Sequence, residues 1–440
     1  YFTVKHNFAY HVMGHTFFVE DGAEFFNVIE ENLGAVTLRQ FLMLKGDTKP
    51  ATFWMSSPTQ FWRHNVAAGC TNDGFWFELP SHPHGPSFTT SICPVHGHVG
   101  EFFNNTAHSN GVHGLRIYPV YLPRRDPCDE SSGPAPQYFT NFTAWHNGVH
   151  GVFGKENGDL HHVNAKLVEN VDDELFWTKL HEVEYGWNPH LKDVLAVASR
   201  RALSGGAEAG AGKHAVMAPQ NEFFLVSGLR VVNYGSSPGA LAGCAKCGTS
   251  TDMKQGGYTF RWERLEFHNS SRRTHWTPPR KQIFWDLDGS LTGHVNGTAT
   301  PFYAFNEWPA CTRGGPAYDD GLVCDGSTRV RRLRIDGVEP SALDFRRLSL
   351  TSAAGVDSVA FLPKEHFGWV LPVVHNHEYR VVVGSELAAA NRADWREMQI
   401  QLSEVEYVES GEWLRLAFPY QDTRYHFQVE HEGSQREVPW

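Results

Sequence analysis

The pentapeptide Asn110-Gly111-Val112-His113-Gly114 recurs unchanged as Asn147-Gly148-Val149-His150-Gly151. The two copies start 37 positions apart (147 minus 110). Each follows a similar lead, Phe103-Asn104-Asn105-Thr106-Ala107 in one case and Thr140-Asn141-Phe142-Thr143-Ala144 in the other. Looser cousins come earlier: His64-Asn65-Val66-Ala67-Ala68 before Gly74-Phe75-Trp76-Phe77, and His6-Asn7-Phe8-Ala9-Tyr10 before Gly14-His15-Thr16-Phe17-Phe18. The unit is a short strand, an Asn turn, a small residue, a Gly turn and another short strand. Repeats of this kind signal stacked coils. A parallel β-helix satisfies each strand's backbone with the coils above and below, so no coil stands alone. Asparagine returning at one turn predicts a ladder in which each side chain caps its neighbour's backbone. Asn7, Asn65, Asn104 or Asn105, and Asn141 are therefore expected at comparable turns. Uneven spacing predicts long loops leaving the coils, near 81–100, 119–136 and 200–218.

Composition agrees with an all-β chain. Of 440 residues, 41% are hydrophobic, 13% are aromatic and 41 are glycine, a mixture suited to strands and tight turns. The formal net charge of −11 argues against a nucleic-acid binder, which needs a basic footprint. No apolar run reaches the length of a spanning helix. Tyr1-Phe2-Thr3-Val4-Lys5 does not read as a signal peptide, and the piece is expected to belong to a longer chain. From about residue 300 the pattern changes to period-two alternation, as in Thr328-Arg329-Val330-Arg331-Arg332-Leu333 and Glu378-Tyr379-Arg380-Val381-Val382-Val383. Antiparallel strands with one wet face give that alternation. The expected division is a parallel β-helix over 1–302 and a β-sandwich-like domain over 303–440. Four sequons begin at Asn104, Asn141, Asn269 and Asn296, and with seven cysteines they favour an extracellular or cell-surface glycoprotein.

Several motifs occur together: Gly14-His15-Thr16-Phe17-Phe18-Val19-Glu20-Asp21-Gly22, Thr52-Phe53-Trp54-Met55-Ser56-Ser57-Pro58, Asn65-Val66-Ala67-Ala68-Gly69, and Trp285-Asp286-Leu287-Asp288-Gly289-Ser290-Leu291-Thr292-Gly293. Their order and spacing resemble the cell migration-inducing and transmembrane hyaluronidase family, with fibrocystin-like surface proteins as a more distant relation. The resemblance implies a right-handed parallel β-helix followed by a β-rich domain on a secreted or membrane-anchored protein. The upstream residues linked to hyaluronan cleavage in that family have no counterpart in this stretch.

Among the residues present, His15, Glu20 and Asp21 are candidates for acid/base cleavage of a glycan, the imidazole moving the proton beside a carboxylate. The bland alternative is a turn in which Asp21 satisfies backbone amides. Asp286 and Asp288 alternate before a Gly turn and offer oxygens to calcium, or simply close the turn. His161-His162 and His96-Gly97-His98 lack a regular ligand set. Trp54, Trp62, Trp76, Trp145, Trp177 and Trp187 could stack on sugars, though most such residues fill cores.

A disulfide is expected between Cys311 and Cys324, which bracket a Gly- and Pro-rich loop and which the resemblance also supports. Cys244 with Cys247 and Cys70 with Cys93 are weaker pairs, leaving Cys128 over. Two functions from different classes follow. One is a rigid structural or adhesive scaffold whose partners are polysaccharides, surface or matrix proteins and the rest of its own longer chain. The other is the distal part of a hyaluronidase-like enzyme.

Overall fold

The computed structural model describes residues 1–42, 48–181, 183, 186–198, 213–220, 224–244, 259–278, 280, 282–301, 308–339, 348–352, 357–360, 369–383, 399–405, 413–417, 428–431 and 434–437. The regular elements described are strands and short 3-10 turns. They form two compact units, Tyr1–Phe302 with Ala310–Ser327, and Tyr303–Pro309 with Thr328–Trp440.

The first unit is a parallel β-helix. A typical coil contributes three short strands. Along one line Thr3–Lys5, Val28–Glu30, Phe61–Arg63, Glu101–Phe103, Gln137–Thr140 and Leu160–Val163 pair in parallel. Along a second line run Phe8–Met13, Leu33–Leu38, Val66–Ala68, Thr106–His108, Thr143–Trp145 and Lys166–Val168. Farther along, Leu191–Val197, Leu225–Val232 and Thr259–His268 each cross both lines as one strand. The third line comprises Phe17–Val19, Ala51–Met55, Asp73–Phe77, Leu115–Tyr121, Val152–Asn157, Leu175–Leu180, Val216–Ala218, Leu241–Gly243 and Thr274–His275.

In-register stacking turns each inward position into a column. Phe53, Phe75, Leu115, Val152 and Leu175 are register partners in successive coils and fully buried. Phe17, Phe53 and Phe75 stack nearly parallel, with centroids 4.7 Å apart at each step. The small residue of the repeat is the inward position of the second line, where Ala67, Ala107 and Ala144 align. Leu167 takes the same position in the next coil, and the adjoining corner turns bring backbones together. A β-carbon on Gly148 would lie 2.2 Å from the Gly111 carbonyl oxygen.

The expected asparagine ladder is present, with a correction. The Asn7 Nδ2 donates to Asn32 Oδ1 at 2.9 Å, Asn32 Nδ2 to Asn65 Oδ1 at 3.0 Å, and Asn65 Nδ2 to Asn105 Oδ1 at 3.1 Å. The rungs are 25, 33 and 40 residues apart in sequence. Asn141 is not a rung: it aligns with Asn104, His64 and His6 one position earlier, where φ is positive in all four. Phe142 takes the rung position, so the ladder stops and hydrophobic filling replaces it. The repeated pentapeptide builds a second ladder at another corner, Asn110 Nδ2 donating to Asn147 Oδ1 at 2.9 Å and Asn147 Nδ2 to Asn170 Oδ1 at 2.8 Å. Glu174 closes it, accepting from the Asn170 amide.

The β-helix ends in antiparallel strands. Ile283–Asp286 pairs with Gly297–Thr300, which pairs with Leu322–Cys324, itself paired with Cys311–Arg313. Residues 310–327, expected in the C-terminal domain, thus belong to the first unit, because their hairpin completes the sheet of the last coil. Cys311 and Cys324 face each other across that hairpin and are bonded. The disulfide therefore closes a hairpin within the first unit. Replacing both cysteines with serine is expected to lower unfolding free energy by about 3 kcal/mol, the loop-closure value for this separation. Urea denaturation checks it, and an unchanged midpoint would refute the staple.

Two other pairings change. Cys93 bonds Cys128, tying the 81–100 loop to the 119–136 loop. Cys70 is a buried free thiol whose pKa burial pushes up to about 12. The expected Cys70–Cys93 bridge fails because Cys70 sits in the corner before Asp73–Phe77, whereas Cys93 lies in the excursion after that strand. Cys244 is disulfide-bonded, and Cys247 lies outside the described residues. Part of the loop expected at 200–218 also lies outside them; Val216–Ala218 is a strand of the third line.

The second unit contains a sheet of Val330–Glu339, Trp369–Val374 and Gln399–Val405, all antiparallel. A second sheet contains Asp357–Ala360, Leu348–Ser352, His377–Val383 and Leu414–Ala417, the last pairing in parallel. Gln428–His431 and Ser434–Glu437 form a hairpin.

Candidate functional site

The outer face of the third line carries a column of aromatic and basic side chains, exposed at Phe18 and covered at Trp76, which is 6% exposed. Because alternate residues of a strand face opposite ways, the buried Phe53–Phe75–Leu115 column implies an outward column one residue later. That column is Phe18, Trp54, Trp76, Arg116, Phe153 and Phe176, all register partners. Trp54 and Trp76 lie 4.6 Å apart between centroids. The Arg116 guanidinium sits 4.0 Å over the Trp76 ring and 4.5 Å over Tyr118, and the Lys155 ammonium 5.2 Å over Tyr118. These are cation–π distances. The buried Asp73 carboxylate anchors Arg116 at 3.2 Å. Burial pushes the Asp73 and Glu78 carboxyls above their usual range, while Arg116 pulls both back.

His15 lies at one end of this column, its ring 4.2 Å from Trp54 and 5.2 Å from Phe18. Its Nδ1 accepts the Ala51 N–H at 3.0 Å. Asp21 is held in a turn instead: its Oδ2 accepts the Ser87 hydroxyl at 3.0 Å and its carbonyl accepts the His84 N–H. Glu20 is exposed. The ligating atoms of His15, Glu20 and Asp21 do not converge within 4.8 Å; among the described residues, only His150, Asp172 and Asp173 do so.

Asp286 and Asp288 close the expected turn. Asp286 accepts N–H groups from Gly289, Leu291 and Thr292 and the Thr292 hydroxyl. Asp288 accepts the Ser290 and Arg264 N–H groups. All four carboxylate oxygens thus accept hydrogen bonds. His96 and His98 each bond a backbone carbonyl, of Leu122 and Arg124, and so pin one excursion to the other.

The tryptophans divide as their register dictates. Trp62 and Trp177 are fully buried in the core, whereas Trp187 is 64% exposed beside Arg261 and Trp285. All four sequon asparagines have positive φ, Asn104, Asn269 and Asn296 being exposed and Asn141 half-buried. The aromatic–cation column was not legible in advance as a unit. Its members are scattered from Phe18 to Phe176, and only strand register aligns them.

Fold and motifs together define a parallel β-helix chain similar to the cell migration-inducing and hyaluronan-binding proteins and the fibrocystins. Residues 1–115 match the family model described as the CEMIP β-helix. Human Fibrocystin-L is 30% identical over 382 residues, 83% of this chain but 9% of that protein. The human cell migration-inducing and hyaluronan-binding protein is 31% identical over 214 residues, 38% of this chain and 16% of its own length. Human cell surface hyaluronidase CEMIP2 is 29% identical over 140 residues, 26% of this chain and 10% of its own. The chain thus spans a small fraction of each relative. The fibrocystin side, expected to be the more distant, aligns over the larger part of the chain. Among the described residues, no helix is long and apolar enough to cross a membrane.

Proposed function

We propose that this chain is a rigid scaffold region of an extracellular or cell-surface glycoprotein, and that it binds polysaccharide along the outer face of its third sheet. The observation that carries the reading is the outward column in which Phe18 and Trp54 lead to Arg116, with Trp76 buried beneath the Arg116 guanidinium. Strands stack about 4.8 Å apart, close to the rise per sugar of an extended polysaccharide, so successive rings can meet successive side chains. Aromatic faces take the apolar faces of sugars, while Arg116 and Lys155 offer charge to an anionic group. Sugars carried on Asn104, Asn141, Asn269 and Asn296 belong to the same reading. A second reading, a region of a hyaluronan-depolymerising enzyme, is favoured by the relationship to cell surface hyaluronidase CEMIP2.

The test is calorimetric titration of the chain with size-defined polysaccharides, hyaluronan included, with product length followed in parallel. Binding without shortening, weakened at least tenfold by Trp54→Ala, is the expected result. Binding equal in Trp54→Ala would overturn the column, and shortened hyaluronan would favour the second reading.

A further inference from the structure

The histidine of the repeated pentapeptide leads to a second site, which flanks the far end of the column: the His150 ring stacks on Phe176 at 4.8 Å and the His113 ring on Phe153 at 4.7 Å. His113 and His150 occupy the same corner of successive coils, their rings 2° from parallel and 5.2 Å apart. In the next coil that corner carries Asp173, and in the one after it His214. His150 and Asp173 are 6% and 2% exposed, and the neighbouring Asp172 side chain is 27% exposed at the mouth of the corner.

We propose that His150, Asp172 and Asp173 bind a divalent transition-metal ion of borderline softness, for which zinc is the probe. Each residue offers one ligand atom, and the three atoms lie within 4.8 Å of one another. The His150 Nδ1 is 3.7 Å from Asp173 Oδ2, too long for a hydrogen bond and close to the roughly 3.3 Å between ligands on a tetrahedral zinc. The other Asp173 oxygen accepts from His214 Nδ1 at 2.7 Å, which fixes the carboxylate as an outer-shell partner fixes a ligand. One coil away, the Nδ1 of His113, whose ring stacks on His150, is buried without a hydrogen-bond partner. An imidazole donor selects against calcium and magnesium, which prefer oxygen.

Two contacts compete with the ion and shape the test. Lys213 Nζ pairs with Asp172 at 2.7 Å, and the Asp173 N–H reaches His150 Nδ1 at 3.3 Å. Zinc must displace the lysine, a largely exposed side chain, take the His150 Nδ1 lone pair from the Asp173 N–H, and draw the three ligands inward.

The experiment is equilibrium dialysis of the whole chain against zinc, with metal counted by mass spectrometry, and cobalt(II) absorption as an independent report on coordination. One tight zinc per chain is expected. Asp172→Asn, at the surface of the corner, should weaken it at least tenfold and remove the cobalt band while near-ultraviolet dichroism stays native. Lys213→Ala, which leaves the core untouched, should tighten binding several-fold. Zinc bound equally by wild type and Asp172→Asn would place the metal on other histidines and overturn the proposal. So would the absence of tight zinc, or a Lys213→Ala chain that binds no more tightly.

Discussion

Replacing Asn65 with alanine is expected to destabilise the β-helix by about 4 kcal/mol, while the same change at Asn7 costs less than about 1 kcal/mol. Asn65 is fully buried. Its Oδ1 accepts both the backbone N–H and the Nδ2 of Asn32, at 3.1 and 3.0 Å. Its Nδ2 donates to Asn105 Oδ1 and to the Ile29 carbonyl, at 3.1 and 2.8 Å. Truncation strands donors and acceptors in the two neighbouring coils at once, each costing about 1–3 kcal/mol where water cannot reach. Asn7 is exposed at the end of the ladder, so water replaces what its side chain offered. Denaturant midpoints of the two variants check this. Equal losses would show that the ladder carries no special stability.

Acidification should destabilise the chain through histidines locked inside it. His162 points into the coil, aligned between Phe139 and Leu191, and neither ring nitrogen has a hydrogen-bond partner. Burial, with a smaller contribution from His161, pushes its pKa down to about 3. Burial also lowers His113 and His190 well below the ordinary value. The unfolded chain takes up protons below about pH 6.5, whereas folded His162 stays neutral until about 3. Its contribution is therefore intact above pH 6.5 and is lost as pH falls between those values, at roughly 1.4 kcal/mol per unit. Glu174 acts oppositely: burial holds its carboxyl well above the usual range, so stability falls as pH rises above about 4.5. The His162→Leu variant isolates the first effect, since leucine continues the apolar column. Between pH 7 and 4.5 wild type should lose about 3 kcal/mol more than His162→Leu. Parallel pH profiles for the two would refute the assignment.

The His162 case shows where the sequence stops being informative. His161-His162 reads as a pair, yet adjacent residues on a strand face opposite sides. One imidazole is paired with Asp159 at 2.9 Å and the other sits in the core. Which of the two is inside depends on register, and register is a property of neighbouring coils. Asn104-Asn105 poses the same question, and the structure answers it with Asn105 on the ladder and Asn104 in the turn. Asn32 could have been found in advance, since Glu31-Asn32-Leu33-Gly34-Ala35 repeats the turn pattern. Phe142, by contrast, breaks the ladder within an otherwise matching lead.

The β-helix itself was written in the sequence, because a coil that cannot stand alone must repeat its turn chemistry. Asn, Ala and Gly at recurring positions are that chemistry. The Cys311–Cys324 bond was legible for a similar reason, two cysteines closing one short Gly-rich segment. Cys93–Cys128 was not, since the two lie on separate excursions of unrelated length and only the stacking of coils brings those loops side by side. The same holds for the aromatic–cation column and for His150, Asp172 and Asp173. Their members are adjacent across coils, and hydrogen-bonded register between strands determines which residues of distant segments meet.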